Sequence, residues 1–219
     1  MVDEYVVLTD SQNNPTGTAL KATVHSDKTP VHRAFSCFLF NSKGELLLQQ
    51  RALTKKTWPG IWSNSCCGHP APGEVTEDSV YRRLSFELGV PRSAVRNLQV
   101  ILPNFKYYVE REGVVEREFC PVYAGRLDCE PTINPLEVHA TRWIPWNEYT
   151  GVAAALLPHL TSVPTGATSF DAYRNRFSSA QTYKAAHALP GGEPLSEWSL
   201  WETNLLLKNE SFNTLFRTL

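Results

Sequence analysis

The longest apolar run in this 219-residue chain, Ala34–Phe40, is interrupted by Ser36. A helix that spans a bilayer needs about 20 consecutive apolar residues, so no segment is expected to cross a membrane. Charge of one sign is equally scarce: 21 Lys and Arg stand against 22 Asp and Glu, a formal net charge of -1. Without a basic surplus there is no electrostatic footprint for DNA or RNA, and without an acidic block there is no solvating tail. The amino terminus, MVDEYVVLTD, is acidic where a secretion signal is basic, and it lacks an apolar stretch of the required length. Cysteine is odd in number, five in all, with no C-x-x-C spacing. That count excludes a complete disulfide framework, and the missing spacing argues against a dithiol redox centre. Internal repeats and low-complexity tracts are lacking too. Together these absences predict a cytoplasmic protein with reduced thiols.

What is present suits one folded domain over 1–219, since 42% of the residues are hydrophobic and the chain is long enough to bury a core without metal or disulfides. Residues 1–26 read as strand, turn and return strand, with Asn, Pro and Gly in NNPTG supplying the reversal. Residues 34–50 repeat that pattern around NSKGE. From Thr76 to Leu88 the period becomes helical, with Val80, Tyr81, Leu84 and Leu88 on one face, Thr76 as the expected cap and Gly89 as the stop. Strands are expected at 97–102, 105–109, 114–123 and 139–144. Residues 150–195, rich in Pro, Gly, Ser and Thr, form a variable insertion, and 196–219 read as a terminal helical segment. This order predicts an α+β fold, an α/β/α sandwich with a mixed sheet.

Three groups of residues carry chemistry. His25, His32 and His69, with Glu116 and Glu118 at i and i+2 of a predicted strand, have the donor types of a divalent-metal site. On spacing alone, exposed loop histidines and a solvated strand face are the plainer reading. In Ser63-Asn64-Ser65-Cys66-Cys67-Gly68-His69, a thiol beside Gly and His suits a nucleophile, a metal ligand or an acid–base group. Adjacent residues of extended backbone point opposite ways, so only one of the two cysteines can face a site. Cys37, Cys120 and Cys129 read as ordinary core thiols. The third group, Gly68 to Val90, carries Glu74, Arg82, Glu87 and Gly89 at the spacing of a Nudix box, which it resembles. A Nudix hydrolase has glutamates where this chain has Arg83 and Phe86, so the scaffold resembles Nudix while the hydrolytic carboxylates are missing. Arg83 and Glu87, four apart on a helix, also read as a plain surface ion pair.

Over roughly 6–147, several separated motifs together resemble type I isopentenyl diphosphate isomerase. They are Lys21 with His25 and His32, RALTKKTWPGIWSNSCCGHP, the GE…RRL…ELGV run, and VVEREFCPVY. The resemblance implies a Nudix-type α/β/α sandwich that interconverts isopentenyl and dimethylallyl diphosphate. It implies metal ligands at His25, His32, His69, Glu116 and Glu118 for one divalent ion (Mn2+, Mg2+ or Zn2+). A substrate-associated Mg2+ falls on Glu87 with the carbonyl of Cys67. The catalytic thiol falls on Cys67, the catalytic carboxylate on Glu118, and the supporting tyrosine on Tyr107, with Tyr108 beside it. The active-site tryptophan falls on Trp198, with Trp201 competing. Lys21, Arg51, Lys55 and Arg83 would hold the diphosphate. Trp58, Trp62, Trp143 and Trp146 are then core or loop anchors.

The chemistry agrees, because shifting an unactivated double bond needs two acid–base groups on opposite faces of the substrate and a dry aromatic wall for the cationic intermediate. The alternative is a Nudix diphosphohydrolase. The expected partner is a small diphosphate rather than a nucleic acid or membrane, with the protein a monomer or weak homodimer.

Overall fold

The computed structural model describes residues 3–156, 189 and 192–218. The chain opens with the hairpin β1 (Tyr5–Thr9) and β2 (Pro15–Leu20), closed by Asp10, whose Oδ1 accepts from the backbone N–H groups of Gln12 and Asn14. The return strand stops sooner than its sequence suggests: Lys21–Val24 form a short helical turn, α1. There follow β3 (His32–Arg33), β4 (Phe35–Phe40), β5 (Glu45–Arg51), β6 (Trp62–Ser63), β7 (Cys66–Gly68) and α2 (Thr76–Leu88). Next are β8 (Val95–Leu102), β9 (Lys106–Arg111), β10 (Val114–Phe119), β11 (Val122–Leu127), β12 (Val138–Pro145) and α3 (Trp146–Leu156). Two further helices, α4 (Glu197–Leu206) and α5 (Glu210–Phe216), stand where the sequence suggests one helical segment.

The strands form two sheets. One runs β2-β1-β3-β10-β9, and the other runs β12-β5-β4-β11-β8 with β6 on β5 and β7 on β4. The single strand expected over 114–123 is two strands, because Cys120 and Pro121 carry the chain from one sheet to the other. Proline cannot donate to a ladder, so the break falls there. Residue 34 makes the same crossing between β3 and β4. The two crossings run parallel and are laced together by the Ala34 N–H to the Phe119 carbonyl (2.8 Å) and the Ser36 N–H to the Pro121 carbonyl (3.1 Å). This seam sets His32 opposite Glu118 in one sheet and Ser36 opposite Cys67 in the other.

Strand alternation on β4 divides the apolar core. Phe35, Cys37 and Leu39 face α2 and pack with Cys66, Val80, Leu84 and Leu88. Phe38 and Phe40 face the other way and pack with Trp146, Trp198, Trp201 and Phe212 of α3, α4 and α5. Helices thus cover both faces of the larger sheet, the layering expected of an α/β/α sandwich.

The α2 helix departs from its expected start. Val75, not Thr76, is the cap residue, and no side chain closes the helix. Glu74 organises the entry instead, accepting from the Ala71 N–H (2.7 Å) and pairing with Arg82, while Glu77 and Asp78 sit at the positive end of the helix dipole. Gly89 ends the helix at φ 62°, in the left-handed region, and an added Cβ would meet the Thr132 carbonyl oxygen at 3.0 Å.

Candidate active site

His25, His32, His69 and Glu118 each present one ligand atom, and these four atoms lie within 4.8 Å of one another. They arrive from four places: the end of α1, β3, the loop after β7, and β10. His32 is fully buried rather than an exposed loop residue. Its Nδ1–H donates to the Pro30 carbonyl at 2.9 Å, which directs Nε2 into the cluster. That nitrogen lies 3.3 Å from His69 Nε2, and the two rings converge on Glu118 Oε1 at 3.2 Å and 3.0 Å. Burial holds His25 down to about 4 and His69 down to about 3, so both are neutral imidazoles. Glu118 is held well below the usual carboxylate range: burial opposes this, and the hydrogen bonds from His32 and His69 outweigh it.

The donor set fits a divalent ion. His25 Nε2 is buried without a hydrogen-bond partner among the described residues, and two ring nitrogens face each other at a distance that a cation between them would relieve. Three imidazoles and a carboxylate match the ligand preferences of zinc and manganese, and magnesium favours the oxygen donor. Glu116 stands outside this four-atom set. It shares the inward face of β10 with Glu118, and Tyr107 links the pair, its hydroxyl reaching Glu118 Oε2 at 2.7 Å and Glu116 Oε2 at 2.9 Å. Tyrosine has one hydrogen to give, so both contacts are satisfied only when one carboxyl is protonated. Of the two, Glu116 is the more basic, pushed up to about 7 by burial and by the charge of Glu118, while Glu118 is held low. Tyr108, the neighbour that points the other way, bonds to Glu110 at the surface.

The paired cysteines divide as alternation requires. Cys66 packs beneath α2 with Phe35 and Leu84, while Cys67 turns to the opposite side and packs against the cluster that contains Tyr107 and Trp198. The Cys67 thiol donates to Asn64 Oδ1 at 3.3 Å, and the Ser36 hydroxyl lies 3.5 Å from its sulfur. Burial, with the charges of Glu202 and Glu118, pushes the thiol up to about 12, so it keeps its proton. Asn64 is fully employed, because its Nδ2 also donates to the carbonyls of Cys37 and Cys66.

An aromatic wall joins the two halves. Trp198 stacks on Tyr107 at 5.7 Å between centroids and 21° between planes, and meets Trp58 edge-on at 5.9 Å. Trp198 Nε1 donates to Ser63 Oγ at 3.1 Å, and that oxygen lies 4.0 Å from the Cys67 sulfur. One ring of the stack is therefore tied toward Cys67, and the other is bonded to Glu118. Trp201 is buried in the same cluster, 6.4 Å from the Tyr107 ring, without that stacked geometry.

Three of the four basic residues, Lys21, Lys55 and Arg83, are joined through the carboxylates of Glu4 and Glu137, while Arg51 bonds within its own loop. Arg83 and Glu87 are buried at 4% and 3% exposure, so they are not the surface ion pair that their spacing alone suggests. Arg83 bonds Glu87 at 2.6 Å and Glu137 at 2.9 Å, and Glu87 also accepts from Gln49 at 2.8 Å. Lys55 shares Glu137 at 2.8 Å, Lys21 pairs with Glu4 at 2.6 Å, and Arg51 donates to the Thr57 carbonyl. Sequence reasoning named Asn64 without giving it a role and missed Glu4, Gln49, Glu137 and Glu202. Only Glu202 left a signal, a carboxylate embedded in the apolar run SLWETNLLL.

The two-sheet, helix-flanked architecture with this box is that of the NUDIX domain, whose family matches residues 30–164. A solved Deinococcus radiodurans protein, DR0079, shares the fold at 23% identity with a TM-score of 0.55, over 69% of this chain and 90% of its own. Within that class the relatives are specific. An isopentenyl-diphosphate Delta-isomerase of Saccharopolyspora erythraea is 48% identical over 73% of this chain and 80% of its own length. That of Kocuria rhizophila is 50% identical over 64% and 77%, and that of Salmonella heidelberg is 45% identical over 72% and 84%. The chain belongs to the isopentenyl-diphosphate Delta-isomerase family of Nudix proteins.

Proposed function

We propose that this enzyme interconverts isopentenyl and dimethylallyl diphosphate, with Cys67 and Glu118 as its two proton-transfer groups. One observation carries the reading. The Tyr107–Trp198 stack spans from a half-buried thiol, reached through Ser63, to a buried carboxylate. A double-bond shift must add a proton at one carbon and remove one at another, through a cationic intermediate that water would trap. Cys67 holds its proton and Glu118 is ionised, so the pair offers one donor and one acceptor, and the reverse reaction exchanges their roles. The stacked rings would exclude water and present π faces to the cation, an attraction of about 2 kcal/mol or more where desolvated.

Lys21, Arg51, Lys55 and Arg83 would bind and orient the diphosphate, which takes no part in the bond change. His25, His32, His69 and Glu118, with Glu116 beside them, would hold Mn2+, Mg2+ or Zn2+. Glu87 and the Cys67 carbonyl would hold the Mg2+ that accompanies the substrate. Bound there, the ions would supply positive charge that fixes Glu118 and screens the diphosphate. Glu87 already accepts from Arg83 on Oε1 and from Gln49 on Oε2, yet Oε2, with that one contact, keeps a further lone pair.

A diphosphohydrolase would need carboxylates where Arg83 and Phe86 stand, to position a water. We further read the protein as a cytoplasmic monomer or weak homodimer; no described helix is long and apolar enough to cross a membrane. The test is incubation of purified protein with isopentenyl diphosphate and Mg2+. Formation of the dimethylallyl isomer supports the reading, and release of phosphate or pyrophosphate without that isomer contradicts it.

A further inference from the structure

Trp198 is held differently from the tryptophans around it. The indole N–H groups of Trp58, Trp62 and Trp201 are buried with no hydrogen-bond partner among the described residues, whereas that of Trp198 donates to Ser63 Oγ at 3.1 Å. Trp201 stands less than one turn along the same helix, so packing here tolerates an unpaired indole N–H. Ser63, Asn64 and Ser196 are all buried, and their hydrogen bonds leave Ser63 no latitude. Its hydrogen goes to Asn64 Oδ1 at 2.8 Å, because Asn64 Nδ2 is committed to the carbonyls of Cys37 and Cys66 and the oxygen can only accept. The Ser196 hydroxyl, 2.8 Å away, must then donate; it fills one lone pair of Ser63 Oγ, and Trp198 fills the other. Ser196 is the cap residue of α4, where a serine side chain usually accepts from the first N–H groups of the helix. No side chain closes α4, and this hydroxyl is turned onto Ser63 instead.

We propose that Ser63 is a positioning residue for the isomerisation: its hydroxyl oxygen fixes the rotation of the Trp198 ring within its own plane, in register with the Cys67 thiol. This rests on the reading of Cys67 as the catalytic thiol and of Trp198 as the π face beside the cation. Stacking on Tyr107 sets the tilt and spacing of the indole, 21° and 5.7 Å, but does little to stop it turning about its own normal. One directional bond at the ring edge removes that freedom. The turn matters because it decides which of the two fused rings lies beside the reacting carbons, and cation–π attraction needs the cation over a ring centroid. Asn64 Oδ1 is the common reference. It accepts from Ser63 at 2.8 Å and from the Cys67 thiol at 3.3 Å, so ring and S–H bond are oriented from one amide. That amide is anchored in turn to the backbone of β4 and β7. The arrangement explains why one indole N–H of this wall is paired while its neighbours are not, and why the α4 cap serine does not cap.

Steady-state kinetics and proton–nitrogen correlation spectra of the indole N–H groups test this in Ser63→Ala, Ser63→Thr, Trp198→Phe and Trp198→Leu. The Trp198 resonance is the one missing from Trp198→Phe. Ser63→Ala should lose about tenfold or more in kcat at unchanged KM and move that resonance upfield. Ser63→Thr keeps the oxygen, so it should leave the resonance in place and keep at least about half of kcat. The Ser63→Ala, Trp198→Phe double variant should be slower than the slower single variant by no more than about twofold, since phenylalanine has no N–H to hold. Several outcomes would overturn the proposal. They are parental kcat in Ser63→Ala, an unmoved Trp198 resonance in that variant, a Ser63→Thr variant as slow as Ser63→Ala, fully additive losses, or a Ser63→Ala chain that does not fold. Two further variants separate the readings. Parental turnover in Trp198→Leu or Cys67→Ala removes the underlying site assignment and this proposal with it. Slow turnover in both, beside a parental Ser63→Ala, removes the positioning role alone.

Discussion

Cys66 and Cys67 are neighbours in sequence with opposite surroundings, and the contrast makes the thiol assignment testable. Cys66 fills a gap beneath α2, while Cys67 is tied to Asn64 and Ser36 in the aromatic cluster. Cys67→Ala should lower kcat by about 100- to 10,000-fold without loss of folding, while Cys66→Ala keeps most of the activity. An inactive but well-folded Cys66→Ala would reverse the assignment. His69→Asn should lower bound metal and turnover together, read by elemental analysis beside the assay, because one lost ligand weakens the whole set. Unchanged metal stoichiometry in that variant would remove His69 from the site. At this scale much of the site is legible in the sequence, because alternation alone separates Cys66 from Cys67 and pairs Glu116 with Glu118. Glu137 is not legible. It is a carboxylate on a loop before β12, and only the tertiary fold brings it to Lys55 and Arg83.

Among the elements, α2 and β7 meet at Gly68, where an added Cβ would lie 3.0 Å from both Arg83 Cγ and Phe35 Cζ. Gly68→Ala should therefore cost about 1–3 kcal/mol of stability and displace Arg83 from the basic group, as overpacking does. A variant with parental stability in urea unfolding would show that the strand moves freely there. The basic residues are also engaged with carboxylates of other elements, Glu4 at the start of the chain and Glu137 before β12. Inorganic pyrophosphate, if held by these residues as proposed, would displace these partners. Glu4→Gln should therefore lower its inhibition constant, by up to about fivefold, the limit for an exposed pair worth at most ~1 kcal/mol. A raised inhibition constant would mean that Glu4 orders Lys21 for binding instead. The helical period of 76–88 and its glycine stop are plain in sequence, since they depend on neighbours three or four residues away. The Thr76 cap is not realised, because the Glu74 carboxylate and Arg82, eight residues apart, organise that turn.

Across the whole molecule, the site lies on the seam where two chain segments pass side by side from one sheet to the other. No pattern within either segment announces that seam. Pro121 marks one crossing, but the parallel pairing of β3 with β10 and of β4 with β11 joins residues more than 80 apart. Most of residues 150–195, expected as a variable insertion, fall outside the described residues. The segment returns at Pro194 and Ser196, which exchange backbone hydrogen bonds with Trp62 and so dock α4 against the site. Because the histidine–glutamate set gathers ligands from separate strands and loops, a bound ion would hold the seam together. Chelation should lower the unfolding temperature, by the equivalent of about 2.7 kcal/mol where free ion had stood about 100-fold above its Kd. An unchanged unfolding temperature with the metal removed would mean that the ion does not couple the elements. The most direct measurement of the central claim, that Cys67 and Glu118 move protons to and from a carbon skeleton, is turnover of isopentenyl diphosphate in deuterated water followed by NMR. The account predicts dimethylallyl diphosphate carrying solvent deuterium on carbon, with its diphosphate intact, and loss of both isomer and deuterium in Cys67→Ala and Glu118→Gln. Deuterium-free isomer, or undiminished incorporation in either variant, would contradict it.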